Sequence, residues 1–175
     1  MSYLTGSEIL KNVKSGDIVI EPFDERRLGP NSYNVCLGNE LEVYTCDVLD
    51  MRLENPTAKF DIPEEGYVLN AGGLYLGSAI EYTESDKFDM DIDGRSSIGR
   101  LGLFVHVTAG RGDIGFKGIW TLELHPILPV RVYPCVEIGQ LYFSDVIGDV
   151  KLYDGKYKGA RGVQSSRLWR EFKNA

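Results

Sequence analysis

The sequence is poor in the residues from which metal and redox sites are built. Its 175 residues include three cysteines and two histidines. Cys36, Cys46 and Cys135 form no C-x-x-C pair, so neither a zinc knuckle nor a thiol–disulfide motif is spelled. An odd set of scattered thiols reads as reduced structural cysteines in a reducing compartment. No apolar run approaches the roughly 20 residues that span a bilayer. The opening MSYLTGSEILKNVKSG lacks the long apolar stretch of a secretory signal, which sets the expectation of a cytoplasmic protein. Repeats, linkers and low-complexity segments are missing too, and one domain over residues 1–175 is expected. A chain of that length can bury a sizeable core.

A surplus of positive charge is also lacking. The net charge is −7, which argues against a nucleic-acid coat or attachment to an anionic membrane surface. The imbalance is uneven. Residues 151–175 carry seven Lys and Arg against Asp154 and Glu171, a net of +5, leaving 12 basic against 24 acidic residues, a net of −12, in the first 150. By composition the tail is either a solvated basic segment or a cover for a small polyanion held by an acidic body.

What is present is mostly period-two patterning. One helix is expected near the start, where Thr5-Gly6-Ser7-Glu8 spells a capping box, Ile9, Leu10 and Val13 share a face, and Gly16 suits the stop. Thereafter short strands follow, among them Ile18–Ile20, Leu41–Tyr44, Tyr67–Leu69, Gly73–Ile80, Lys87–Asp93, Leu103–Val107, Ile119–Leu124, Val130–Tyr133 and Gln140–Ser144. The segment 87–93 alternates cleanly, with Phe88, Met90 and Ile92 on one face and three aspartates on the other. Many short strands parted by Gly, Pro and Asn turns predict an all-β sandwich, jelly roll or barrel.

Residues 93–124, DGRSSIGRLGLFVHVTAGRGDIGFKGIWTLEL, carry the candidate chemistry. Arg95-Ser-Ser-Ile-Gly-Arg100 sets two arginines and two hydroxyls around a glycine. Arginine's planar fork matches phosphate oxygens, and glycine lets backbone approach a ligand. The run is neither a Walker loop nor a dinucleotide fingerprint, and a plain turn with surface arginines fits it equally. Period two puts Leu122 and Leu124 on one face and Thr121 and Glu123 on the other. Glu123 is therefore either a solvated carboxylate or a general acid/base in a half-dry pocket. Asp113, in a glycine-rich loop, is either a turn residue or a ligand.

The motifs DGRSS-x-GRLGL, VHVTAG and TLEL, in this order and spacing, resemble the dCTP deaminases of the trimeric dUTP pyrophosphatase superfamily. The similarity extends to the N-terminal helix, Gly29–Gly38, Glu137–Leu141 and Lys156–Gly159. It implies a distorted jelly-roll or β-barrel fold and a homotrimer with active sites shared between subunits. It further implies hydrolytic deamination of dCTP to dUTP and ammonia. The alternative is a bifunctional enzyme that also cleaves the triphosphate to give dUMP and pyrophosphate, and a lesser one is a non-catalytic nucleotide sensor. Zinc deaminases need an H-x-E element and a P-C-x-x-C pair. The one Pro-Cys pair here, Pro134-Cys135, has no second cysteine three residues on, so this chemistry is expected to run without zinc.

Carried over by position, Glu123 is implied as the group that takes a proton from water and relays it to the cytosine ring. The Ala109 carbonyl and Ser96 hydroxyl position that water, and Arg100 lies beside the reacting centre, with Ser96 and Arg100 coming from a neighbouring subunit. Arg95, Ser96, Ser97, Ile98, Gly99 and Arg100 form the phosphate-side segment. Asp113 is implied at the deoxyribose, Gln140 as a further nucleotide contact, and Thr121 and Leu122 as substrate neighbours of Glu123. Tyr153 and Lys156 belong to the tail segment 151–175 that closes over the nucleotide. Mg2+ is expected to arrive mainly with the triphosphate, keeping several waters, and no protein metal ligands are assigned. Three positions depart from the family pattern. Asn34 replaces an aspartate, Ala160 replaces a glutamine, and Arg111–Gly115 replaces an x-Ile-Asp-Pro-Gly stretch, making that loop more polar and, by composition, more flexible. Gly110 after Thr108-Ala109 resembles the bifunctional type, whereas Asn34 weakens a hydrolytic metal site.

Overall fold

A computed structural model describes residues 2–173 of the chain. Helix α1 (Gly6–Ser15) begins at Thr5, whose Oγ1 accepts from the Glu8 amide, and ends at Gly16, whose φ of 83° only glycine adopts without strain. Its buried face centres on Ile9. The chain then forms β1 (Val19–Glu21), a single 3-10 turn (Glu25–Arg27), β2 (Tyr33–Cys36), β3 (Glu40–Tyr44), β4 (Thr57–Asp61), β5 (Tyr67–Leu69) and the long β6 (Tyr75–Glu84). It continues through β7 (Asp89–Gly94), the one-turn helix α2 (Ser96–Gly99), β8 (Leu103–Phe104), β9 (Arg111–Gly112) and β10 (Lys117–Pro126). The last elements are β11 (Val130–Val132), β12 (Glu137–Ser144) and the short α3 (Trp169–Lys173).

One sheet runs β4-β3-β6-β10-β8, with β1 also paired to β6; a second runs β2-β12-β7-β9; β5 and β11 form a small ribbon. The two larger sheets turn their apolar faces into one core. Leu41, Leu122 and Leu124 come from the first, and Tyr33, Val35, Met90, Ile92, Leu141 and Phe143 from the second. This layered arrangement realises the expected all-β class, with sheets that stay open at their edges. Alternation is strictest on β10. Gly118, Trp120, Leu122, Leu124 and Pro126 are buried, whereas the residues between them are partly accessible.

A buried ion pair ties three elements together. Arg27 of the 3-10 turn donates to the Glu81 carboxylate on β6, which is fully buried and also accepts from the Cys36 amide on β2 at 3.0 Å. Burial raises the Glu81 pKa and pushes the Cys36 thiol up to about 11. Cys36 is thus an unreactive structural thiol.

The structure departs from the sequence reading at several places. The strand expected over Leu103–Val107 stops at Phe104, because the chain turns to bury Val105 and direct His106 inward. Asp89, on the face opposite Phe88, Met90 and Ile92, is buried as well, at 8% exposed. Arg111–Gly115 is pinned rather than loose. β9 pairs with β7, Arg111 Nε lies 3.2 Å from Asp91, and the Ile114 carbonyl accepts from Tyr153 of the tail.

Candidate active site

The accessible face of β10 forms one wall of a cavity of about 840 Å³. Thr121, Glu123 and His125 point to it from β10, and Ala109 and Asp113 reach it from the loop that includes β9. Glu123 is held there by strand alternation, since its neighbours Leu122 and Leu124 are fully buried in the core. Its side chain is 32% exposed, two-thirds shielded by the cavity. Leu122, expected among the substrate neighbours, turns its side chain into the core, which leaves only its main chain for a ligand.

The buried partner of Glu123 is His106. Its Nδ1 lies 3.6 Å from Glu123 Oε2, its side chain is 8% exposed, and Nδ1 has no hydrogen-bond partner. A buried unpaired polar atom is costly, so this nitrogen is poised to bond to the carboxylate or to a bound water. Burial pushes the His106 pKa below its ordinary value, and the nearby Glu123 charge opposes that shift. His125 also lines the cavity, with Nδ1 2.9 Å from the Gly73 carbonyl.

The phosphate-side candidates gather elsewhere on the chain. α2 carries Ser96, Ser97, Ile98 and Gly99, with Arg95 and Arg100 as its flanks, and none of the six lines the Glu123 cavity. Arg95 Nη1 lies 3.1 Å from Glu137 Oε2 and donates to the Glu137 carbonyl. The Glu137 carboxylate also accepts from Asn34 Nδ2, and Asn34 Oδ1 accepts from Gln140 Nε2 at 3.1 Å. Arg95, Glu137, Asn34 and Gln140 are therefore one hydrogen-bonded group on the β2-β12-β7 sheet. Ser96, Ser97, Gly99 and Arg100 are exposed beside it.

The tail lies across the cavity. Ala160 is 7% exposed and forms a parallel bridge with Gly118. The Gln164 amide donates to Thr121 Oγ1 at 3.0 Å and the Ser166 amide to the Tyr44 hydroxyl at 3.0 Å. Tyr153 lines the cavity as expected, and so does Tyr157. Lys156 does not; its ammonium pairs with Glu171 of the tail itself. Ala160, to which no ligand contact is assigned, seats the tail on β10.

Gly110–Gly115 spells G-x-G-x-x-G, yet β10 follows it, with no helix N-terminus to receive a dinucleotide pyrophosphate. A family model described as dCTP deaminase-like matches residues 3–146. The chain belongs to the dCTP deaminase-like family. Among curated relatives, a protein of Clostridium beijerinckii named dCTP deaminase, dUMP-forming, is 54% identical over 97% of this chain and 98% of its own length. One of the same name from Clostridium acetobutylicum is 55% identical over 98% of this chain and 99% of its own. A crystal structure of 2'-deoxycytidine 5'-triphosphate deaminase from Agrobacterium tumefaciens shares the fold with a TM-score of 0.65 and 20% identity, over 81% of this chain and 47% of that one.

Within this dCTP deaminase-like chain the site residues form two separate groups. Glu123, Ala109, Asp113, Thr121 and Tyr153 share the cavity, whereas Arg95 to Arg100 and Gln140 lie outside it. Sequence reasoning missed His106 as a site residue, although it stands inside the quoted VHVTAG motif. It also gave no role to Trp120, which lines the cavity from the buried register of β10. Both amide ends of Asn34 are engaged by Glu137 and Gln140, so the one oxygen this side chain could turn to a metal already accepts a hydrogen bond. Among the described residues, no three or more His, Cys, Asp or Glu are grouped to hold a metal.

Proposed function

We propose that this protein hydrolyses the C4–N4 bond of dCTP, releasing ammonia, and then cleaves the triphosphate to leave dUMP and pyrophosphate. The observation that carries the reading is Glu123, held on a strand face in a half-shielded cavity with His106 3.6 Å away. In the first reaction Glu123 accepts a proton from water as the water oxygen bonds to C4, and passes that proton to N3. The tetrahedral centre then collapses, C4–N4 breaks, and N4 leaves as ammonia with a second proton returned through Glu123. A positioned acid/base of this kind contributes roughly 10²–10⁴ in rate. The remainder comes from holding water and base in reacting geometry, for which Ala109 stands at the cavity wall.

The second reaction joins water oxygen to the α-phosphorus and expels pyrophosphate. Its support is the name dUMP-forming, carried by relatives that match this chain over nearly their whole length. Release of dUTP is the alternative product, and the engaged Asn34 amide favours it. Magnesium enters with the phosphates and offsets their charge against an acidic body; Arg95 and Arg100 supply fixed positive charge.

The site is read as shared in a homotrimer. Arg95, Ser96 and Arg100 do not line this chain's own cavity. Exposed Leu101, Phe104, Val107, Ile127 and Leu128 surround α2 and β8, as a surface awaiting a second copy does. No helix of the described residues is long and apolar enough to cross a membrane, and the reading puts the enzyme with the cytoplasmic nucleotide pool.

Product analysis tests it. Purified protein with dCTP and magnesium is expected to release ammonia, dUMP and pyrophosphate. Accumulation of dUTP selects the alternative product, and absence of ammonia rejects the deaminase reading.

A further inference from the structure

Gly112 is a glycine for a reason unrelated to its backbone. Its φ lies outside the left-handed region, yet a Cβ there would stand 2.4 Å from Trp120 Cη2 and 2.8 Å from Cζ2. The indole edge therefore occupies the space that any other residue at 112 would need. Trp120 cannot retreat freely. Its Nε1–H donates to Thr83 Oγ1 at 2.8 Å, Thr83 is fully buried, and the Phe116 ring packs 5.0 Å from it, centre to centre. The β10–β6 register shifts between Ile119 and Thr121, where three β6 residues, Ala79 to Glu81, lie opposite Trp120 alone, so the extra residues belong to β6 and Trp120 keeps its place in the buried register of β10.

The other side of the contact is equally fixed. Gly112 pairs with Met90 on β7, and Asp113 follows it directly, exposed and lining the cavity. The height of the indole under Gly112 thus sets where Asp113 stands. Asp113, Phe116 and Trp120 all line the one cavity, so an exposed carboxylate and the edges of two largely buried aromatic rings border the same space. A sugar whose hydroxyl bonds to Asp113 presents its neighbouring carbon to apolar rings. A hydroxyl on that carbon would be buried without a partner, a loss that binding sites use for discrimination.

We infer that Trp120 is a positioning residue, size-matched to Gly112, which holds Asp113 at the sugar and sets preference for a 2'-deoxynucleotide over its 2'-hydroxy counterpart. The inference rests on the proposed deaminase reading and extends it to residues which that reading does not use.

The test is a double-mutant cycle on the full chain with Gly112→Ala, Trp120→Phe and the pair together, each assayed with dCTP and CTP. Gly112→Ala adds the colliding methyl; Trp120→Phe removes the outer ring it collides with. Each single variant is expected to raise KM for dCTP more than it lowers kcat, and to cut the dCTP-over-CTP ratio of kcat/KM by about tenfold. The double variant should lose less than the product of the singles, because the methyl fills the vacated space. Losses that multiply without recovery, or that fall equally on dCTP and CTP, overturn the inference. Should Gly112→Ala fail to fold, Trp120→Phe decides alone, and an unchanged dCTP-over-CTP ratio sinks the proposal. Wild type that releases no ammonia from dCTP refutes the deaminase reading instead, and the two failures are thereby distinguished.

Discussion

Glu123 and His106 make a pair in which each residue explains the other's setting. Glu123→Gln keeps the shape of the carboxylate and removes the proton transfer proposed for it. Nucleotide binding measured by calorimetry is expected to persist, while ammonia release falls by about 10²–10⁴. Unchanged turnover would remove Glu123 from its role. His106 contributes a pH dependence of stability whose sign follows from burial. Folding lowers its pKa from 6.5, so the unfolded chain binds the proton more readily. The stability attached to this residue is complete above pH 6.5 and is lost as pH falls below it. Thermal unfolding followed from about pH 7 to about pH 5 should show wild type losing more of its Tm than His106→Asn does.

At the scale of elements, the Arg27–Glu81 pair is the joint that holds β2, β6 and the 3-10 turn in register. Arg27→Ala leaves a fully buried carboxylate without its cation. The expected cost is about 3 kcal/mol, the low end for a broken buried pair because Arg27 keeps some exposure, read from denaturant unfolding. Elements set by local rules were legible in the sequence. α1 carries its own cap and stop, 88–92 alternates, and Leu122 with Leu124 place Glu123 on the opposite face. Elements that exist only through distant partners were not. β4 is partly or fully exposed along its whole length and shows no period, β9 is two residues long, and α2 is one turn. The same reason hid two site residues. His106 gains its meaning from Glu123, and Trp120 from Gly112, and neither spacing is periodic.

On the scale of the whole molecule, Arg95 to Arg100 lie outside the cavity that holds Glu123, and the proposed trimer would join the two groups across a subunit interface. That division predicts complementation. Glu123→Gln and Ser96→Ala chains, each inactive alone, should regain activity after being unfolded together and refolded, with about a quarter of the sites in a cyclic trimer intact on both sides. No recovery from the mixture, with trimers formed, would place both residues in one subunit. A different consequence follows from how the tail is seated. The amides of Tyr153, Gly159, Gln164 and Ser166, with the Ala160 carbonyl, make the seating bonds. The N–H is common to every residue but proline, so side-chain exchanges at Gln164 and Ser166 should leave the flap in its groove, whereas Gly159, at a φ of 76°, is held to glycine. A proline at one of those donors would remove a bond that other exchanges keep.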